Sequence, residues 1–182
     1  MEDGSIIEGE HHITVTKGKI KKVFYKEKAH ANKEALKAIK EADLILFSMG
    51  SLFTSIIPNL LIDDIVKEIE KSKAKIMYVC NMMTQPGETD DFTVGDHVEL
   101  INSYLKKRKI DVVIASNSKI DEKIVSKYLS QEQKDPVPID KEKIEKLKVE
   151  LIESDIFKVE DELLRHDSIK LASLIMFYLM RD

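Results

Sequence analysis

The chain has 182 residues, 43% of them apolar and 34% charged, with a formal net charge of −4. That length holds one domain with a full core. The mild negative charge gives no footing for nucleic acid or an anionic membrane as the main partner, and no apolar run nears the ~18 residues of a bilayer-spanning helix.

The amino terminus, MEDGSIIEGE, is acidic and lacks the basic-then-apolar profile of a signal peptide. Ile13 and Val15 alternate with polar neighbours, as do Val23 and Tyr25 beyond a Thr16-Lys17-Gly18-Lys19 turn. That pattern predicts a β-hairpin within residues 4–25, on which His11 and His12 point to opposite faces and do not pair as metal ligands. From residue 32 the pattern alternates helix and strand. Asn32 caps a helix with Leu36 and Ile39 on its apolar face, and the run 44–47 (LILF) reads as a strand covered on both sides. A helix stripe follows at Leu61, Ile65 and Ile69, then a second buried strand at 76–79. Thr93 with Asp96 predicts a capping box at the start of a third helix that buries Val98, Ile101 and Leu105. Residues 112–115 give a third strand, and Ile124, Val125, Tyr128 and Leu129 a fourth helix. After a Pro-broken connection at 130–138 come a short charged helix at 140–148, a strand at 149–152 and a last helix capped by Asp167 or Ser168.

Strands buried on both faces and separated by helices predict an open, doubly wound α/β fold. Its sheet is mainly parallel with helices on both faces, and an amino-terminal β-hairpin is added. The expected organisation is one α/β domain over 1–182, with 1–28 as a hairpin flap and 29–182 as βα units. The strand tips Gly50, Asn81 and Ser116 are spaced by 31 and 35 residues, about one βαβ unit each.

In such folds ligands sit beyond the carboxyl ends of the strands. Gly50 lets a ligand approach the backbone, and Ser51, Thr54 and Ser55 add hydroxyls ahead of a helix that begins near Pro58 or Asn59. The alternative is that Gly50 and Ser51 only turn the chain while Thr54 or Ser55 caps the helix. Asn81 and the pair Ser116 and Asn117 end the next two strands. Residues 78–97 (YVCNMMTQPGETDDFTVGDH) form a connection longer than the usual 4–6 residues, with Met82, Met83, Pro86 and Phe92 as apolar anchors. This predicts an ordered ligand-binding loop. Neither a G-x-G-x-x-G nor a G-x-x-x-x-G-K-[ST] fingerprint is present. Glu88, Asp90 and Asp91 have the chemistry for Mg²⁺, against a loop-solubility or helix-dipole reading of the two aspartates. His97 reads either as facing a ligand or as a hydrogen-bonded structural histidine. Arg165 reads as a phosphate anchor or as part of a local cap network with Asp167. Cys80, the single cysteine, reads as an inert buried thiol, which excludes an internal disulfide and fits a reducing cytoplasm. No arrangement of catalytic residues can be argued for.

The segments at 49–62 (MGSLFTSIIPNLLI), 79–98 (VCNMMTQPGETDDFTVGDHV) and 165–172 (RHDSIKLA) resemble the gluconeogenesis factor family. These YvcK-like proteins are related to the 2-phospho-L-lactate transferases. The stretches at 3–10 (DGSIIEGE) and 41–51 (EADLILFSMGS) match it in position and order. Family members are longer and begin with a Gly-rich nucleotide-binding unit, so the chain reads as a carboxyl-terminal portion. The family's Gly-Pro-Gly-Ser at the first strand tip is here Ser48-Met49-Gly50-Ser51. The resemblance implies a Rossmann-like fold and a cytoplasmic regulator that binds a UDP-sugar and is linked to carbon metabolism, cell shape and wall synthesis. Its partners would be that nucleotide sugar and further copies of the chain, with no nucleic acid and no membrane span. By position, Gly50, Ser51, Thr54, Ser55, Asn81, Thr84, Gln85 and Thr89 surround the ligand, with Ser116 and Asn117 at the third tip. The transferase alternative moves a 2-phospholactyl group to a deazaflavin precursor, and Mg²⁺ belongs to that reading alone.

Overall fold

Three uninterrupted apolar runs and a fourth, mixed one build the sheet. The structure is a computed structural model that describes residues 1–16, 18–160 and 163–181, with the side chains of residues 131 and 132 outside it. Strands β1 (Leu44–Phe47), β2 (Lys75–Val79), β3 (Val112–Ser116) and β4 (Glu150–Ser154) lie in chain order, and every pair is parallel. Successive side chains of β2 and β3 enter opposite cores, as a period of two requires. Ile76, Tyr78, Val113 and Ala115 face one, while Met77, Val79, Val112 and Ile114 face the other.

The first core is covered by α3 (Ile57–Leu60), α4 (Asp63–Lys71), α5 (Val94–Tyr104) and α7 (Lys141–Lys146), with Ile39 of α2 (Lys33–Glu41) at its margin. The second is closed by α8 (Ser168–Met180), through Leu171, Ile175 and Tyr178. Helices therefore flank both faces, as the sequence predicts. The helix starts follow the side chains expected to cap them. Asn32 accepts from the Glu34 N–H, Asp167 from the Lys170 N–H, and Thr93 and Asp96 form a reciprocal capping box. The helix α6 (Glu122–Glu132) is capped by Asp121.

The expected amino-terminal hairpin does not form. Residues Glu10–Val15 make a short helix, α1, with Thr14 and Thr16 hydroxyls donating to the carbonyls four residues back. Val15 stays exposed, and Ile20 and Val23 pack against the main core instead of pairing with it. A lone two-stranded ribbon is marginal in water, so a local helical turn and contact with the larger core win. Lys17 of the expected turn lies outside the described residues. The hairpin that does form is β5 (Phe157–Glu160) with β6 (Leu163–His166), antiparallel and just before α8.

Candidate ligand-binding site

The parallel register brings the carboxyl ends of β1, β2 and β3 to one rim, where Gly50 and Asn81 meet directly. Asn81 accepts from the Gly50 N–H at 3.2 Å and donates to the Gly50 carbonyl at 2.8 Å. Its amide also donates to Gln85 Oε1 at 3.4 Å. Asn81 is thus a clamp between two strand tips as well as a polar rim residue. The third tip is adjacent but separate: Ser116 and Asn117 turn towards β4, with Ser116 bonded to Ser118 and the Asn117 N–H donating to the Ser154 carbonyl.

The loop after β2 is ordered by a second strip of backbone. Thr84 N–H donates to the Asp135 carbonyl while Thr84 Oγ1 accepts from the Asp135 N–H, and Val137 N–H donates to the Met82 carbonyl. Thr84 and Thr89 are both buried, and Thr89 Oγ1 accepts from the Gln85 N–H. Their hydroxyls hold the loop. Gly87 takes φ +79° at the loop's apex, and a Cβ there would lie 2.9 Å from the Thr16 carbonyl oxygen. Gly87→Ala is expected to lower the unfolding free energy by about 1–3 kcal/mol. An unchanged urea midpoint would mean that Thr16 does not pack over this loop.

The turn after β1 carries a feature that its sequence hides. Ser51 caps a π-helical turn (Leu52–Ile56), accepting from Thr54 N–H at 3.1 Å and Thr54 Oγ1 at 2.6 Å. Ser51 Oγ in turn donates to Glu88 Oε2 at 2.5 Å, and the Phe53 N–H reaches the same oxygen at 3.3 Å. The hydroxyls of Ser51 and Thr54 are therefore committed internally, and Ser55 is exposed outside the cleft. The three acidic groups of the loop diverge: Glu88 turns inward, Asp90 accepts from the Gly87 N–H, and Asp91 is exposed. Among the described residues no three His, Cys, Asp or Glu side chains group as a metal set.

A cleft of about 400 Å³ opens against this rim. Gly50, Ser51, Asn81, Thr84 and Gln85 line one side, with Met49, Met82 and Met83 as an apolar floor. The opposite wall comes from Tyr128 of α6, Lys134 just after that helix, and Leu163, Leu164, Arg165 and His166 of β6. Tyr128 Oη accepts from the Leu164 N–H at 2.9 Å, and among the described residues its own proton has no acceptor. Arg165 is exposed and, among the described residues, its guanidinium has no hydrogen bond or ion pair. The Arg165 and Asp167 cap network does not form, since Asp167 alone caps α8. Thr54, Ser55, Thr89, Ser116 and Asn117 lie outside the cleft lining. The far wall is what sequence reasoning missed. Tyr128 reads as an ordinary helix-face residue, and only the Arg-His-Asp triplet ahead of a helix hinted at its role.

His97 is a structural residue. It is fully buried, its Nδ1 bonds the Thr93 carbonyl at 2.8 Å, and its ring stacks on Tyr78 and meets Phe92 edge-on. Burial holds its pKa below the usual histidine value, against the pull of the Thr93 carbonyl. Burial shifts His166 the same way. Each ring therefore takes up a proton less readily in the fold than in the unfolded chain, where histidine titrates near pH 6.5. Stability should therefore fall as pH drops below about 6.5, by up to about 1.4 kcal/mol per pH unit for the fully buried His97 and by less for the partly exposed His166, where solvent screens the charge. Urea unfolding from pH 7.5 to 5 reads this slope, and His97→Asn should flatten it. An equal slope in that variant would remove His97 as a source. Cys80 is buried with its thiol pushed up to about 12 by burial, and is inert as expected.

Comparison with known proteins agrees with the fold. The family described as 2-phospho-L-lactate transferase CofD matches residues 1–157. The gluconeogenesis factor of Bacillus subtilis is 40% identical over 97% of this chain and 56% of its own length. A putative gluconeogenesis factor of Clostridium acetobutylicum is 39% identical over 99% of this chain and 41% of its own. A crystal structure of a UPF0052-family protein from Bacillus halodurans superposes with a TM-score of 0.91 at 37% identity, covering 97% of this chain and 57% of that one. The chain thus spans about half the length of the curated relatives it matches. A match over residues 1–157, together with relatives near 40% identity along nearly all of the sequence, makes this chain a member of the CofD family that is similar to its gluconeogenesis factors.

Proposed function

We propose that this chain forms part of a cytoplasmic regulator of the gluconeogenesis factor type that binds a UDP-sugar in the cleft between Asn81 and Arg165. The observation that carries the reading is the set of uncommitted donors on the far wall. Arg165 offers a planar fork suited to phosphate oxygens, and among the described residues the Tyr128 hydroxyl proton has no acceptor. The Gln85 amide nitrogen, unbonded among the described residues, adds a donor opposite them. Such a wall suits a ligand that is anionic at one end and rich in hydroxyls at the other. Methionine thioethers give the floor the adaptability to take a sugar or a base.

The regulator reading is supported by a lining of hydrogen-bond donors and methionine thioethers suited to holding a ligand. The transferase stays the alternative because the matching family carries that description. The name gluconeogenesis factor, carried by the Bacillus subtilis relative, supports a role in carbon metabolism, and the reading extends to cell shape and wall synthesis, with further copies of the chain as partner. No helix among the described residues is long and apolar enough to cross a membrane.

Titrating UDP-N-acetylglucosamine while following thermal unfolding tests the proposal. Ligand at 100 times its Kd should add about 2.7 kcal/mol of stability with no product formed. Conversion of a phosphorylated donor would favour the transferase instead. A melting curve indifferent to nucleotide sugars would sink the regulator reading.

A further inference from the structure

We infer that Glu88 determines which end of a ligand the rim at Gly50 and Ser51 accepts: its buried carboxylate already fills that turn with negative charge, so anionic groups are directed to Arg165 and hydroxyls to the rim. The inference rests on the cleft being a nucleotide-sugar site.

Glu88 is only 6% exposed, and among the described residues it forms no ion pair with a lysine, arginine or histidine. One carboxylate oxygen takes the Ser51 hydroxyl and the Phe53 N–H, while the other, Oε1, is buried without a partner among the described residues. An uncompensated buried charge with one oxygen unpaired is costly to keep. The hydrogen bonds alone do not require it, because a glutamine carbonyl accepts from the same two donors. What glutamine lacks is the charge. Ser51 lines the cleft, so that charge stands one hydrogen bond behind the wall, where solvent ions screen it poorly. Across the cleft stand two cationic side chains, Lys134 and Arg165, and among the described residues the Arg165 guanidinium has no hydrogen bond or ion pair. The result is a cleft negative at one side and positive at the other. Like charge at the rim turns a diphosphate away, and Arg165 draws it in.

Inorganic pyrophosphate and UDP-N-acetylglucosamine are the probes, titrated calorimetrically into this chain and into its variants. Glu88→Gln should bind pyrophosphate about tenfold tighter than the parent chain, equivalent to about 1.4 kcal/mol. That gain should persist in the double variant with Arg165→Ala, whereas Arg165→Ala alone should weaken pyrophosphate binding. Glu88→Ala, smaller and equally neutral, should show the same gain and serves if the glutamine variant melts early. Pyrophosphate affinity at or below the parent value in both neutral variants, with circular dichroism unchanged, would overturn the inference. In that case the parent chain still takes up the sugar nucleotide. A parent chain that takes up none shows that the reading of the cleft has failed, and the inference falls with it.

Discussion

Ile114→Ala is expected to lower the unfolding free energy by about 2–5 kcal/mol, the largest stability loss anticipated for a single substitution here. Ile114 is fully buried on β3, hydrogen-bonded between β2 and β4 in register with Val79 and Ile152. Its side chain enters the core closed by α8, against a cluster that includes Met77, Leu171 and Ile175. Truncation removes three carbons from a site walled by a sheet on one side and a helix on the other, so collapse into the void is limited. Chemical denaturation should show a lower midpoint with an unchanged slope. A loss below about 1 kcal/mol, typical of less critical positions, would mean that β3 is not the centre of the sheet.

That central position was legible because the first three strands of the sheet announce themselves by apolar runs, each followed by a small polar tip. The same logic placed Gly50 and Asn81 side by side, and their two mutual hydrogen bonds confirm the juxtaposition. Capping residues such as Thr93, Asn32 and Asp167 were readable because the side chain that caps lies within three residues of the N–H it accepts from. What failed were inferences from short alternation alone. Ile13 and Val15 carry the period of a strand, yet with no larger sheet to join they coil into α1. The Ser51 hydroxyl looked available to a ligand, yet Glu88, thirty-seven positions away, claims it. Nothing local to either residue reports that pairing. The far wall of the cleft was hidden for the same reason: β5 and β6 are short, and they bring Arg165 across to Gly50 only through tertiary folding. Local chemistry is written along the chain, and its commitments are made between distant parts of it.

Arg165→Ala tests whether that far wall binds. Free of ion pairs among the described residues and exposed at its head, Arg165 contributes little to folding, so the melting temperature of the unliganded chain should barely move. Binding should respond quite differently. A hydrogen bond to a charged group contributes about 1.5–3 kcal/mol, so losing the guanidinium fork should weaken UDP-N-acetylglucosamine about 10- to 100-fold. Uridine, which lacks phosphate, should bind both proteins equally, because the missing contact is to the anionic end. Arg165→Lys should restore only part of the loss, since an ammonium supplies charge without the planar pair of donors. Equal affinity of the alanine variant and the parent for the nucleotide sugar would detach the Arg165 wall from the ligand, and would leave Asn81 and Gln85 as the groups to examine next.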